Sequence, residues 1–308
     1  MRNVAGNTNM WVDVLCIPQE DSDPEKAIEI GKQSHIFKSA SRAAVWLCSG
    51  GDEAFIDICS SVPEEVHMIP PDALALNKPE NIAEARRRLA LVAEFPLLVP
   101  WTTSLWTLQE AALRPDAVFY GKLGIPLRHR ETGNPLTIRH LTRTLSQIHD
   151  ILYFLFLPGR GLPQGILDKP EAWDMCEGDV SLVFQALDAV NVISLHKLAN
   201  MNASELLLAS NHRKSTRQHD RVYGIMGAIG GVTVPVDYKA DADKVMDAFM
   251  VELHNRVPAE MQAFYRSGNA SVNGRKWAVD EDAATVPGLI RTKWDQWGVF
   301  LFQTFVYF

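Results

Sequence analysis

Trp11 to Cys48, WVDVLCIPQEDSDPEKAIEIGKQSHIFKSASRAAVWLC, reads as strand, helix, strand. Met10 to Ile17 is almost continuously apolar and rich in β-branched residues, interrupted only by Asp13, a composition suited to a strand buried on both faces. Asp23-Pro24 follows a polar loop as a helix start, with an Asp N-cap and Pro at the first helical position. Glu25 then lies in the first turn, where the helix dipole favours a carboxylate. Ile30, Gln33, Phe37 and Ala40 fall on one face at helical spacing. Ala43 to Leu47 supplies the second strand. The expectation is a parallel βαβ unit with a right-handed crossover, its core formed by Trp11, Leu15, Phe37, Val45 and Leu47. Asp13, inside an apolar strand, would need a hydrogen-bonding partner.

Composition narrows the possibilities. The chain has 308 residues, 47% hydrophobic and 22% charged, with a net charge of −7. These are the proportions of a globular protein with a substantial core. The negative charge argues against nonspecific binding to nucleic acid or to an anionic membrane. The longest apolar run, Ile151 to Leu157, is too short to span a bilayer, and no signal peptide is visible. Cys16, Cys48, Cys59 and Cys176 show neither a CxxC pair nor zinc spacing, and the nine His residues show no HExxH pattern. The expectation is a cytoplasmic, reduced protein that needs no metal and no cofactor.

Further along, Glu53 to Ser61, Asn81 to Phe95, Ile138 to Leu157, Val180 to Leu198, Ser204 to Ala209 and Ala242 to Asn255 carry helical periodicity. Arg86-Arg87-Arg88 could form an anion site, but a solvated helix face is the plainer reading. Gly224, Gly227, Gly230 and Gly231 fit no phosphate-loop spacing and suit close helix packing. Glu110 sits one helical turn after Trp106, on the same face. An aromatic ring beside a carboxylate can raise its pKa or stack a planar ligand, although a lone helical Glu is commonly just solvated. A half-exposed Glu of this kind contributes little to folding. Gln19 lies just past the expected first strand, the edge where open α/β sheets bind ligands. It could hold a nucleotide or tie down its loop.

Three blocks resemble the fungal heterokaryon-incompatibility (HET) domain. Trp11, Asp13, Leu15, Cys16, Ile17, Gln19, Ile36, Phe37, Ala40, Trp46 and Leu47 follow that family's pattern W-I/V-D-x-L-C-I-x-Q … I-Y/F-x-x-A … W-L, with Pro18 where many members have Asn. Trp106, Thr107, Gln109 and Glu110 match its R-x-W-T-x-Q-E-like helix, which is followed by a strand, here Ala117 to Tyr120, that ends in Gly121. Ser104-Leu105 stands where members commonly carry Arg. Arg217 to Gly230, RQHDRVYGIMGAIG, resembles its D-R/K-V/I-Y segment, and Val236-Asp237-Tyr238 its D-Y element.

The resemblance implies an α/β fold: a small parallel, doubly wound, TIR-like sheet with a mainly helical C-terminal half. It implies a core over 10–125, a helical continuation over 126–260 and an extension over 261–308. HET domains usually begin with a strand and a Ser-Tyr-x-Trp-Gly-like motif that Met1 to Asn9 does not supply, so the first βα unit is expected to be missing. The implied biology is self/non-self recognition and incompatibility cell death, with protein partners (incompatibility factors or self-association) and neither nucleic acid nor membrane. Some TIR domains cleave NAD with a Glu on a corresponding helix. This makes Glu110 the candidate catalytic residue, NAD the candidate substrate, and Trp106, Gln19, Gln109 and Asp13 the candidate ligand contacts. The alternative is a non-catalytic signalling or scaffold module, which the missing first unit favours.

Overall fold

Asp13–Cys16 is a single helical turn, α1, where the sequence predicts a strand. The computed structural model describes residues 11–18, 20, 23–47, 51–61, 79–156, 177–199, 203–258, 264–266 and 283–285. Met10 and Gln19 lie outside the described residues, as do Cys48, Cys176 and the apolar C-terminal residues 299–308. In α1 the backbone satisfies itself locally. The amides of Leu15 and Cys16 donate to Val12 O at 3.0 and 2.7 Å, and that of Ile17 to Asp13 O at 2.8 Å. Backbone donors must be paired somewhere, and a short apolar run cannot be told from a helix by periodicity alone. Leu15 is 71% exposed and Asp13 is exposed, so the run is not buried on both faces. The expected βαβ unit over this stretch is therefore not formed.

Its helix is. α2, Pro24–Ser39, begins as expected, with Asp23 accepting from the Glu25 amide at 2.8 Å. Ile30 and Gln33 are buried, whereas Phe37 is half-buried and meets Trp11 edge-on at 5.7 Å. Of the five expected core residues, Val45 and Leu47 are buried, Trp11 and Phe37 are half-buried, and Leu15 is exposed.

The chain divides into two units that interleave in sequence. The described residues within 41–104 and 114–199 belong to the first, and those within 10–40, 105–113 and 200–308 to the second.

The first unit contains β1, Ala44–Trp46; α3, Asp52–Cys59; α4, Pro79–Leu98; a 3-10 turn at Pro100–Thr103; and β2, Val118–Tyr120. It continues with α6, Ile138–Phe156, α7, Glu177–Ile193, and a 3-10 turn at Leu195–Ala199. β1 and β2 are parallel, with Val45 opposite Phe119. Both residues are buried, and Phe119 meets Phe55 at 4.3 Å and Trp101 edge-on at 5.3 Å. Phe55 also contacts Phe95, so this aromatic cluster ties α3, α4 and β2 together. Gly121 follows β2 at a position where a Cβ would run into the Asp52 carboxylate, which accepts the Lys122 amide at 3.2 Å.

The second unit is built from α1, α2, α5, Leu105–Leu113, α8, Ala203–Asn211, α9, Asp220–Met226, and α10, Ala242–Arg256. α5 is its centre: α2, α8 and α9 all pack on it. Leu105 and Leu108 are fully buried, and the Leu105 amide donates to Lys214 O at 2.9 Å. β3, Phe264–Arg266, and β4, Ala283–Thr285, form an antiparallel pair. Helix thus predominates among the described residues, beside a two-stranded parallel sheet, in a mixed α/β arrangement.

Candidate functional site

α5 divides its motif between the interior and a cavity wall. Thr107 and Gln109 turn inward, while Trp106 and Glu110 are half-buried at a cavity wall. Thr107 Oγ1 accepts from Arg213 Nη1 at 2.9 Å. Gln109, 2% exposed, accepts the Gly227 amide through Oε1 at 3.1 Å and donates through Nε2 to Gln33 Oε1 at 3.4 Å. One amide side chain so connects α5 to both α2 and α9. Buried polar groups need such pairing, so Gln109 has a packing role as well as a place on the cavity wall.

The cavity lies within the second unit and measures about 320 Å³, at the small end of ligand sites. Asp13, Trp106, Gln109 and Glu110, four of the five residues that the sequence singles out, line it. Gln19, the fifth, lies outside the described residues. The expected position at the C-terminal ends of parallel strands is not what the structure shows. No strand among the described residues contributes to the wall, because the segment expected to be the first strand is α1. Asp13 is an exposed residue in that turn rather than a buried strand carboxylate.

Sequence reading missed four further groups. Lys26 from α2 and Arg217 from the loop before α9 reach the cavity, and so do Asp220 and Tyr238. Asp220 is 4% exposed and accepts from the Tyr238 hydroxyl at 2.9 Å. Burial, then the negative charge of Asp220 and its hydrogen bond, push the Tyr238 phenol upward from its ordinary pKa. Both cations lie against the Tyr238 ring, Lys26 Nζ at 5.7 Å and the Arg217 guanidinium at 5.2 Å from its centroid. Arg213 is 1% exposed. Burial lowers its pKa to about 9 and the charge of Glu110 opposes that fall, so it remains a cation at neutral pH. Arg217, Asp220 and Tyr238 lie in two segments that stand out in the sequence, Arg217 to Gly230 and Val236 to Tyr238, whose spacing says nothing about what they face; Lys26 and Arg213 carry no such signal.

Residues 1–110 match the family described as "Heterokaryon incompatibility protein (HET)". This part of the chain carries a HET domain. A curated relative, "Heterokaryon incompatibility protein 6, OR allele" of Neurospora crassa, is 26% identical over 134 residues, which cover 36% of this chain and 20% of that protein. The chain thus spans about a fifth of the length of the curated relative it matches. No solved structure matches it. Glu110 is the last residue of the HET match. Asp13, Lys26, Trp106 and Glu110 come to the cavity from the HET domain, whereas Arg217, Asp220 and Tyr238 come from beyond it.

The first unit has its own cavity of about 470 Å³, where Arg87, Arg88 and Arg130 face Asp57. Glu84 accepts from both Arg87 and Arg88, which holds its carboxyl down at about 2. Arg130 bonds Asp57 and Glu53. Arg87 and Arg88 are exposed, as a solvated helix face requires. Among the described residues no group of His, Cys, Asp and Glu could hold a metal ion, and no helix is long and apolar enough to cross a membrane.

Proposed function

We propose that this HET-domain protein acts in fungal self/non-self recognition and incompatibility cell death by cleaving the glycosidic bond of NAD or a related nucleotide in the cavity of the second unit. One observation carries the reading: Glu110 and Trp106 share a cavity wall with Lys26 and Arg217. A carboxylate beside an aromatic face suits a positively charged nicotinamide ring and the oxocarbenium ion that forms as it leaves. The bond from ribose C1′ to the nicotinamide nitrogen breaks, and its electron pair neutralises the ring. Water then adds to C1′ and releases a proton, giving ADP-ribose and nicotinamide. Glu110 would stabilise the developing cation, as carboxylates do in glycoside cleavage. A cavity this size takes the nicotinamide-ribose-phosphate end of a dinucleotide, with the adenosine outside. The same reading takes the β1–β2 pair as part of a TIR-like, doubly wound sheet.

Incubating the full chain with NAD and measuring nicotinamide and ADP-ribose by chromatography tests this. Turnover by the wild type that is lost in Glu110→Gln is expected. No turnover, or equal turnover in the variant, overturns it. A second reading, a non-catalytic scaffold assembling through protein contacts in the cytoplasm, draws support from the inward bonds of Thr107 and Gln109, which give the motif a purely structural use.

A further inference from the structure

Tyr238 is held on several sides. Its hydroxyl donates to buried Asp220, Tyr223 meets its ring edge-on at 5.2 Å, and His219 lies 5.5 Å away. Tyr223 is itself anchored, its hydroxyl accepting the Asp237 amide at 2.9 Å. The ring is therefore a fixed platform on which the flexible side chains of Lys26 and Arg217 rest. Cation–π attraction of this kind favours these resting positions of the two side chains. It spares the two chains part of the ordering entropy that binding would otherwise exact. Asp220 answers part of their charge from the hydroxyl side of the ring, and the ring gathers both cations at one part of the cavity wall, where a single polyanionic group can meet the two together. Because cations already lie against this ring, the aromatic surfaces left for a base or nicotinamide are those of Phe37 and of Trp106, the latter one helical turn from Glu110.

We infer that Lys26 and Arg217, carried on Tyr238, form the phosphate-recognising end of the cavity, so that its ligand is a phosphorylated nucleotide rather than a free nucleoside. The inference rests on the nucleotide reading above and adds its polarity: phosphate at Lys26 and Arg217, reacting sugar at Glu110.

Calorimetric titration of the full chain with ADP-ribose, inorganic pyrophosphate and adenosine tests it, using the wild type, Lys26→Met and Arg217→Met. Arg87→Met, in the first unit, controls for the loss of a cation elsewhere, and far-UV circular dichroism checks each fold. ADP-ribose should bind and pyrophosphate compete with it, while adenosine binds at least about tenfold more weakly. Each site variant should lose about tenfold or more in ADP-ribose affinity, and Arg87→Met none. Equal affinity for adenosine, unchanged affinity in both site variants, or no binding of ADP-ribose overturns the inference. Phosphate-dependent binding without NAD turnover would leave it standing and sink the glycohydrolase reading. NAD turnover with KM unchanged in both variants would do the reverse.

Discussion

Gly227 donates its amide to Gln109 Oε1 at 3.1 Å, and a Cβ at Gly227 would lie 2.6 Å from that same oxygen and 2.6 Å from Ser34 Cβ. Real Cβ atoms do not approach so closely, so Gly227→Ala must separate α9 from α2 and α5. We expect a loss of about 1–3 kcal/mol, the usual penalty for overpacking, read from urea unfolding. Gln109→Leu should also destabilise, because the Gly227 amide loses its buried acceptor. Wild-type stability in Gly227→Ala would show that the helices are not packed this closely.

The two units predict unequal responses to losing a phenylalanine. Phe119 is fully buried against Phe55 and Trp101, so Phe119→Ala should cost about 3–5 kcal/mol. Phe37, half-buried with one edge contact to Trp11, should cost only about 1–3 kcal/mol on truncation to Ala. Equal losses in chemical denaturation would contradict these placements.

How far the sequence could be read depended on whether the deciding interaction was local. Asp23-Pro24 announced α2 because an N-cap and its amide partner lie two residues apart. Gly121 could be recognised as the residue after β2, although Asp52, which leaves no room for a side chain there, is 69 positions earlier and carries no local mark. The misread strand failed for the same reason. Whether VDVLCI becomes strand or helix depends on an available ladder partner, and composition does not report one. Trp106, Gln109 and Glu110 were visible as a motif, yet their division into inward and cavity-facing groups depends on Gln33, Arg213 and Gly227, brought together only by packing.

Tyr238 gives a pH test. Its pKa is raised by burial and by Asp220, so the folded state favours the neutral phenol. In the unfolded chain a tyrosine ionises near pH ~10. The contribution is complete below that pH and is lost as pH rises towards the folded value. The stability advantage of wild type over Tyr238→Phe should therefore shrink above pH ~10. A gap that holds constant or widens in urea titrations at pH 8 and pH 11 would show that Tyr238 is not held neutral by the fold.

The two described free cysteines should differ sharply towards an aromatic disulfide reagent. Cys59 is buried, and burial pushes its thiol far up. Thiolate is the reacting form, so it should react only on unfolding. Cys16 is half-buried in α1, its sulfur accepting the Val12 amide at 3.4 Å, and should react in the native state. Cys16→Ser should remove that native-state reaction, and Cys59→Ser should leave it intact. The opposite assignment would place α1 in the core.

Glu110 is the last residue for which sequence and structure differ in consequence. As a half-exposed helical residue it is expected to be dispensable for folding. The structure instead puts its charge near Arg213, a buried guanidinium whose pKa burial has lowered to about 9. At neutral pH Arg213 is still charged, and Glu110 offsets part of the penalty of burying it. Glu110→Gln should therefore cost about 1–3 kcal/mol, less than the ~3–5 kcal/mol of breaking a fully buried pair, because Glu110 is only half-buried. Arg213→Met removes the buried charge and keeps much of the volume. In the Arg213→Met background, Glu110→Gln should cost almost nothing, and the difference is the coupling between the two residues. A coupling near zero in a double-mutant cycle of urea unfolding would restore Glu110 as a group whose only possible work is at the cavity. A coupling above about 1 kcal/mol would mean that lost NAD turnover in Glu110→Gln must be separated from lost stability, by assaying turnover where both proteins are fully folded.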